Sequence, residues 1–138
     1  MPPARLLMAD DVASNRALIH GMLEQMPFQI DDAVDGQDAV SKVMTAGYDL
    51  VLMDMQMPVL DGYDAAAAIR KWERETHHPR VPIIALTASA LEADIKRAVD
   101  AGCDAHLAKP FRRNDIMKLL REQLAKARSV VPSRESVI

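Results

Sequence analysis

A chain of 138 residues is long enough for one domain with its own core and too short for two of ordinary size. Its apolar share of 49% and charged share of 27% are those of a water-soluble globular protein, and no apolar run reaches the roughly 20 residues a membrane helix needs. The formal net charge of −3 argues against a broad electrostatic grip on nucleic acid.

The chain opens Met-Pro-Pro-Ala-Arg, without the basic, apolar, small-residue order of a signal peptide, so a cytoplasmic location is expected. Ala4 to Ala9 is a compact apolar run that ends on Asp10-Asp11. Leu18, Met22 and Met26, with Ile19 and Leu23 beside them, predict a first helix. Phe28 to Val34 alternates only in part, as an edge strand does, and Asp35 before Gly36 is a helix N-cap candidate. Tyr48 to Met53 is apolar and runs into Asp54. Ala65 to Trp72, continued to Glu75, is rich in helix formers. Val81 to Leu86 is apolar and ends on Thr87. Ser89-x-x-Glu92 has the form of a capping box before Leu91, Ile95, Ala98 and Val99, with Gly102 as the stop. Ala105 to Ala108 is short and ends on Lys109-Pro110, and Ile116, Leu119, Leu120 and Leu124 stripe a last helix. Beyond about Lys126 the composition changes to that of a tail, so residues 1–127 are expected to be one domain and 128–138 a flexible C-terminal segment.

Short runs apolar on both faces, alternating with helices, imply a parallel sheet covered on both sides: a doubly wound α/β domain of five strands and five helices. In such sheets the site lies beyond the carboxyl ends of the strands. Those ends here carry Asp10, Asp11, Asp54, Thr87 and Lys109. Singly, each has an ordinary structural role as a cap, a loop residue or a solvated charge. Together they put three carboxylates, a hydroxyl and an ammonium on one edge. Carboxylates so gathered repel unless a cation neutralises them, and Mg²⁺ suits an all-oxygen site; Mn²⁺ would serve in its place. Phosphoryl transfer needs this equipment, because its catalysis is mostly positioning and charge neutralisation, and a carboxylate can be the nucleophile. The lone Cys103 cannot form an internal disulfide and reads as a small buried apolar residue. The four histidines show no metal-ligand spacing.

The motifs LLMADD, LVLMDMQMPVLDGYDAA, VPIIALTA and GCDAHLAKPF resemble the receiver domain of two-component response regulators, over about Arg5 to Ala127. The resemblance implies a flavodoxin-like (βα)5 fold with strand order 2-1-3-4-5. It implies that Asp54 is the phosphoacceptor and that Asp10, Asp11, Asp54 and the backbone carbonyl of Gln56 hold the metal. By the same resemblance Thr87 and Lys109 bind the phosphoryl oxygens, and the Lys109-Pro110 bond is cis. Gln56 and Ser89 flank the phosphoryl group and modulate its lifetime. The switch pair is Thr87 with His106, where the family often carries Tyr or Phe. The texture of DDVASNR and its companions is similar to receivers of hybrid sensor histidine kinases. The implied donor is a histidine kinase or a histidine phosphotransfer domain. The implied output is a protein that reads the face of the fourth helix, fifth strand and fifth helix, with the domain a monomer or weak dimer touching neither nucleic acid nor membrane. Such a domain is a switch and not an enzyme in the ordinary sense, catalysing only its own phosphorylation and dephosphorylation. Two other readings differ in class. A receiver-like module that binds partners without phosphate should have lost part of the acidic and basic set. An aspartate-nucleophile phosphatase should carry a second Asp where Gln56 stands.

Overall fold

The computed structural model describes residues 2–137, with side chains described as far as residue 127. The strands are β1 (Ala4–Ala9), β2 (Phe28–Ala33), β3 (Leu50–Asp54), β4 (Ile83–Thr87) and β5 (Ala105–Ala108). The helices are α1 (Ala13–Leu23), α2 (Gly36–Thr45), α3 (Gly62–Thr76), α4 (Glu92–Ala101) and α5 (Arg113–Val137). The expected tail, residues 128–138, lies outside the described side chains. All four strand pairings are parallel, in the order β2-β1-β3-β4-β5. This is the doubly wound, flavodoxin-like arrangement.

Two apolar layers sandwich the sheet. On one face Leu7, Val51, Met53, Ile83 and Ala85 pack under α2, α3 and α4. On the other, Leu6, Met8, Leu50, Leu52, Ile84 and Leu86 pack under α1 and α5. Successive strand side chains therefore feed opposite layers, which is why β3 and β4 are buried along their whole length. Each large side chain so buried contributes roughly 1.5–3 kcal/mol relative to exposure. The partial burial of β2 follows from its place at the sheet edge.

Local chemistry sets the helix ends. Asp35 accepts from the Asp38 backbone N–H at 2.7 Å and Asp61 from that of Asp64 at 2.8 Å, so both are N-caps. Gly102 closes α4 in the left-handed region, at φ 109°. Three expectations need correction. The Ser89–Glu92 capping box does not form: α4 has Leu91 at its N-cap with no side-chain cap bond. The Ser89 hydroxyl instead accepts from Leu91 N–H, while the Ser89 backbone is tied to Thr87. The first helix stops at Leu23, short of Met26, and its buried side chains are Ile19 and Leu23, with Leu18 turned to solvent at 55% exposure. On α4 only Ala98 is buried, leaving Leu91 and Val99 exposed.

Far from the carboxyl edge, Arg70 ties three elements together. Its guanidinium donates to the Gly102 and Val81 carbonyls at 2.9 and 2.8 Å and pairs with Glu73 and Asp104, each at 2.8 Å. Glu73 in turn accepts from Val81 N–H at 2.7 Å. Arg70 and Glu73 are both buried, so this is a desolvated ion pair with its remaining donors and acceptors satisfied.

Candidate functional site

The carboxyl edge of the sheet gathers acidic side chains from two strands. Asp10 follows the last residue of β1 and is fully buried. Its N–H donates to Ala33 of β2 at 3.0 Å, and its Oδ1 accepts from Val12 N–H at 2.9 Å and from the Asn15 amide at 3.5 Å. Its Oδ2 is buried and has no hydrogen-bond partner. Asp11 is exposed at the rim. Asp54 closes β3, only 6% exposed, with its Oδ1 accepting from Gln56 N–H at 3.1 Å. Gly62 lets α3 start directly beneath this strand end: a Cβ there would lie 2.4 Å from the Asp54 carbonyl.

Asp10, Asp11 and Asp54 each offer a carboxylate oxygen, all within 4.8 Å of one another. Lys109 reaches the same place from the loop after β5, its Nζ lying 3.6 Å from Asp10 Oδ2 and 3.5 Å from Asp54 Oδ1. The Lys109 N–H bonds the Thr87 carbonyl at 2.8 Å, and the Lys109–Pro110 peptide is cis. Burial pushes the Asp54 carboxyl above the usual carboxylate range, and the neighbouring Asp10 adds to that; the Gln56 N–H and Lys109 pull the other way. The protein therefore holds an incompletely neutralised acidic pocket. The orphaned Asp10 Oδ2 and the all-oxygen donor set fit a hard divalent cation.

A cleft of about 540 Å³ opens over this pocket, lined among others by Asp11, Gln56, Thr87 and Ser89. Thr87 is at the end of β4, its hydroxyl donating to the Ser89 carbonyl and accepting from Ser89 N–H, both at 3.0 Å. The far wall carries Tyr63, Asp94 and Arg97, with the Arg97 guanidinium 3.9 Å from the Tyr63 ring centre. His106 is exposed on β5, outside this lining. Val59, in the loop between β3 and α3, holds φ 69°, a conformation that strains a β-branched residue.

Sequence reasoning did not single out Asn15 or Arg16, whose side chains reach Asp10 from α1, nor the Tyr63–Arg97 wall. The first pair had a usable signal: both polar residues fall in the first turn of the helix that follows the acidic pair. The second had none, since it joins two helices far apart in sequence.

Fold and pocket together define a flavodoxin-like α/β domain with an acidic pocket at its carboxyl edge. The response regulator receiver domain profile matches residues 6–121, and the chain belongs to that family, the receiver domains of two-component signalling. The chain is 35% identical over 133 residues to the sensor protein GacS of Pseudomonas syringae pv. syringae, covering 96% of this chain and 15% of the relative. It is 41% identical over 109 residues to the peroxide stress-activated histidine kinase mak1 of Schizosaccharomyces pombe, covering 77% of this chain and 7% of that protein. The chain thus spans only a small part of these kinases. Among solved structures, it resembles the receiver domain of a sensor histidine kinase from Pseudomonas aeruginosa PAO1 that has a magnesium ion coordinated in its active site cleft (TM-score 0.80, 37% identity, 90% of this chain and 99% of that one). It also resembles a chain of the Saccharomyces cerevisiae co-crystal of the histidine phosphotransfer protein Ypd1 with the receiver domain of Ssk1 (TM-score 0.84, 32% identity, 90% of each chain). No described helix is long and apolar enough to cross a membrane.

Proposed function

We propose that this receiver domain takes a phosphoryl group onto Asp54 from the phosphohistidine of a kinase or phosphotransfer domain. An Asp54 carboxylate oxygen attacks phosphorus, the P–N bond to the donor imidazole breaks, and the imidazole leaves with the electron pair and takes up a proton. Asp10, Asp11, Asp54 and the Gln56 backbone carbonyl would hold Mg²⁺, or Mn²⁺ in its place. Bound there, the cation supplies neutralisation of the phosphoryl oxygens and of the carboxylates. Lys109 supplies a further positive charge to the phosphoryl oxygens and Thr87 a hydrogen bond. The observation that carries this reading is the convergence of three carboxylates within 4.8 Å with the Lys109 ammonium between two of them.

To donate to the phosphoryl group, the Thr87 hydroxyl must exchange its bond to the Ser89 carbonyl for one to phosphate, which loosens the loop leading into α4. That exchange biases a two-state equilibrium at α4, β5 and α5, where Leu91, Val99 and His106 are exposed for a downstream protein. His106 would follow Thr87 as the switch side chain. Gln56 and Ser89, both on the cleft wall, set how readily water attacks the acyl phosphate. The setting is cytoplasmic, within a hybrid kinase or beside one, as a monomer or weak dimer, without nucleic-acid or membrane contact. The magnesium-bound relative and the Ypd1 co-crystal support the metal and the class of donor. The decisive test is mass spectrometry after treatment with acetyl phosphate and Mg²⁺. The native chain should gain one phosphoryl group and Asp54→Asn none; modification that persists in the variant removes Asp54 from this role.

A further inference from the structure

Asp11 is the one member of the acidic trio that the protein does not hold by its side chain. Among the described residues, no hydrogen bond or ion pair restrains its carboxylate, whereas Asp10 and Asp54 are buried and bonded. Where the Asp11 carboxylate points therefore depends on its backbone, and above all on the peptide unit between Asp10 and Asp11. The carbonyl of that unit is gripped by Arg16, whose Nη1 donates to Asp10 O at 2.7 Å.

Arg16 is itself anchored. Its side chain is 16% exposed, and its Nε lies 3.5 Å from Asp32 Oδ2 on the edge strand β2, an ion pair without a hydrogen bond. The other oxygen of Asp32 meets His20 Nε2 at 2.7 Å, and the Asp32 carbonyl accepts from Lys42. Asp32, held from α1 and α2, draws the guanidinium by charge, and the Nη1 hydrogen bond ties the guanidinium to the peptide. A peptide is planar, so pinning its oxygen also pins its N–H and the direction of the next Cα. A fork-shaped guanidinium can hold a carbonyl and a carboxylate at once; an ammonium offers no such plane.

We infer that Arg16 is a positioning residue for the cation: by clamping the Asp10–Asp11 peptide it aims the free Asp11 carboxylate into the pocket. This rests on the proposed metal-dependent phosphorylation. Its sign separates it from simple charge. Arg16 is a cation near a cation site, so by Coulomb's law alone its removal should tighten Mg²⁺ binding. A clamp predicts the opposite.

The test is calorimetric titration of Mg²⁺ into the wild-type chain, Arg16→Gln and Arg16→Lys. Urea midpoints measured in EDTA report the metal-free fold. Arg16→Gln is expected to bind Mg²⁺ about tenfold more weakly, as loss of a partner that orients a metal ligand does. The stabilisation that saturating Mg²⁺ confers on the wild type should shrink accordingly at fixed metal concentration. Arg16→Lys, which keeps the charge, should fall between wild type and Arg16→Gln. Arg16→Gln that folds and binds Mg²⁺ as tightly as wild type, or more tightly, overturns the inference. Should Arg16→Gln not fold, wild-type affinity in Arg16→Lys overturns it. A wild-type chain that binds no Mg²⁺ removes the proposed function along with it. A wild type that binds Mg²⁺ and is phosphorylated, beside unaffected Arg16 variants, removes the clamp alone.

Discussion

Replacing Arg70 by methionine keeps much of the volume and removes the charge and its donors. Four interactions go at once: those to the Gly102 and Val81 carbonyls and those to the Glu73 and Asp104 carboxylates. Asp104 keeps Arg80 at 3.0 Å and the Ile83 N–H at 2.8 Å, so its loss is small. Glu73 keeps only Val81 N–H and becomes a buried carboxylate without a cation. Breaking such a pair from one side costs about 3–5 kcal/mol. Summing about 1.5–3 kcal/mol for the charged bond to Glu73 and about 1 kcal/mol for each carbonyl reaches the same range. Against a total of about 5–15 kcal/mol for a domain, that is a large share. Urea unfolding of Arg70→Met should show it as a lower midpoint at unchanged slope. Glu73→Gln added to Arg70→Met should cost less than it does alone, because the orphaned charge is gone, with coupling of about 0.5–3 kcal/mol. A loss below about 1 kcal/mol in Arg70→Met, or strict additivity in the double variant, would refute the reasoning. Because Arg70 and its partners are remote from the carboxyl edge, phosphorylation of the folded fraction should be unaffected.

Burial raises the Asp54 pKa, so the folded chain binds a proton there more readily than the unfolded chain does. Asp54 therefore favours folding below its unfolded pKa, and that contribution is lost as pH rises through the folded one. Asp54→Asn should accordingly be more stable than wild type at neutral pH in EDTA, with the difference vanishing towards acid; urea midpoints from acid to neutral pH check both. Lys109→Met removes the ammonium that competes with a cation for Asp10 and Asp54, and is expected to bind Mg²⁺ several-fold more tightly by titration yet take phosphate from acetyl phosphate more slowly. Cys103 is buried and its thiol pushed up to about 11, so it should resist alkylation in the native chain and react in urea; at neutral pH an ordinary cysteine carries roughly a hundredfold more thiolate. Thiol labelling followed by mass should show this contrast, and fast native labelling would contradict the burial.

The alternation of five short apolar runs with helical stretches was legible in the sequence because strand and helix periodicity are local. Asp54 and Thr87 sit at strand ends for the same reason: an apolar run that stops on a polar residue marks where the sheet surfaces. The Asp35 cap and the Gly102 stop were readable as well, each being a matter of a few consecutive residues. The strand order came from the family resemblance, since periodicity says nothing about which strands are neighbours. The Ser89 capping box failed for a local reason that periodicity does not show: the Ser89 N–H is already taken by the Thr87 hydroxyl two residues back. Leu18 looked like core but faces out, because an apolar stripe wider than one face leaves the choice of buried face to what packs against it. Only the tertiary structure distinguished buried Asp10 from exposed Asp11, brought Lys109 between Asp10 and Asp54, and set Arg70 on Gly102 and Asp104 across 32 and 34 residues of chain. Those contacts join segments far apart in sequence, and only closure of the sheet and its two helical layers brings them within hydrogen-bonding reach.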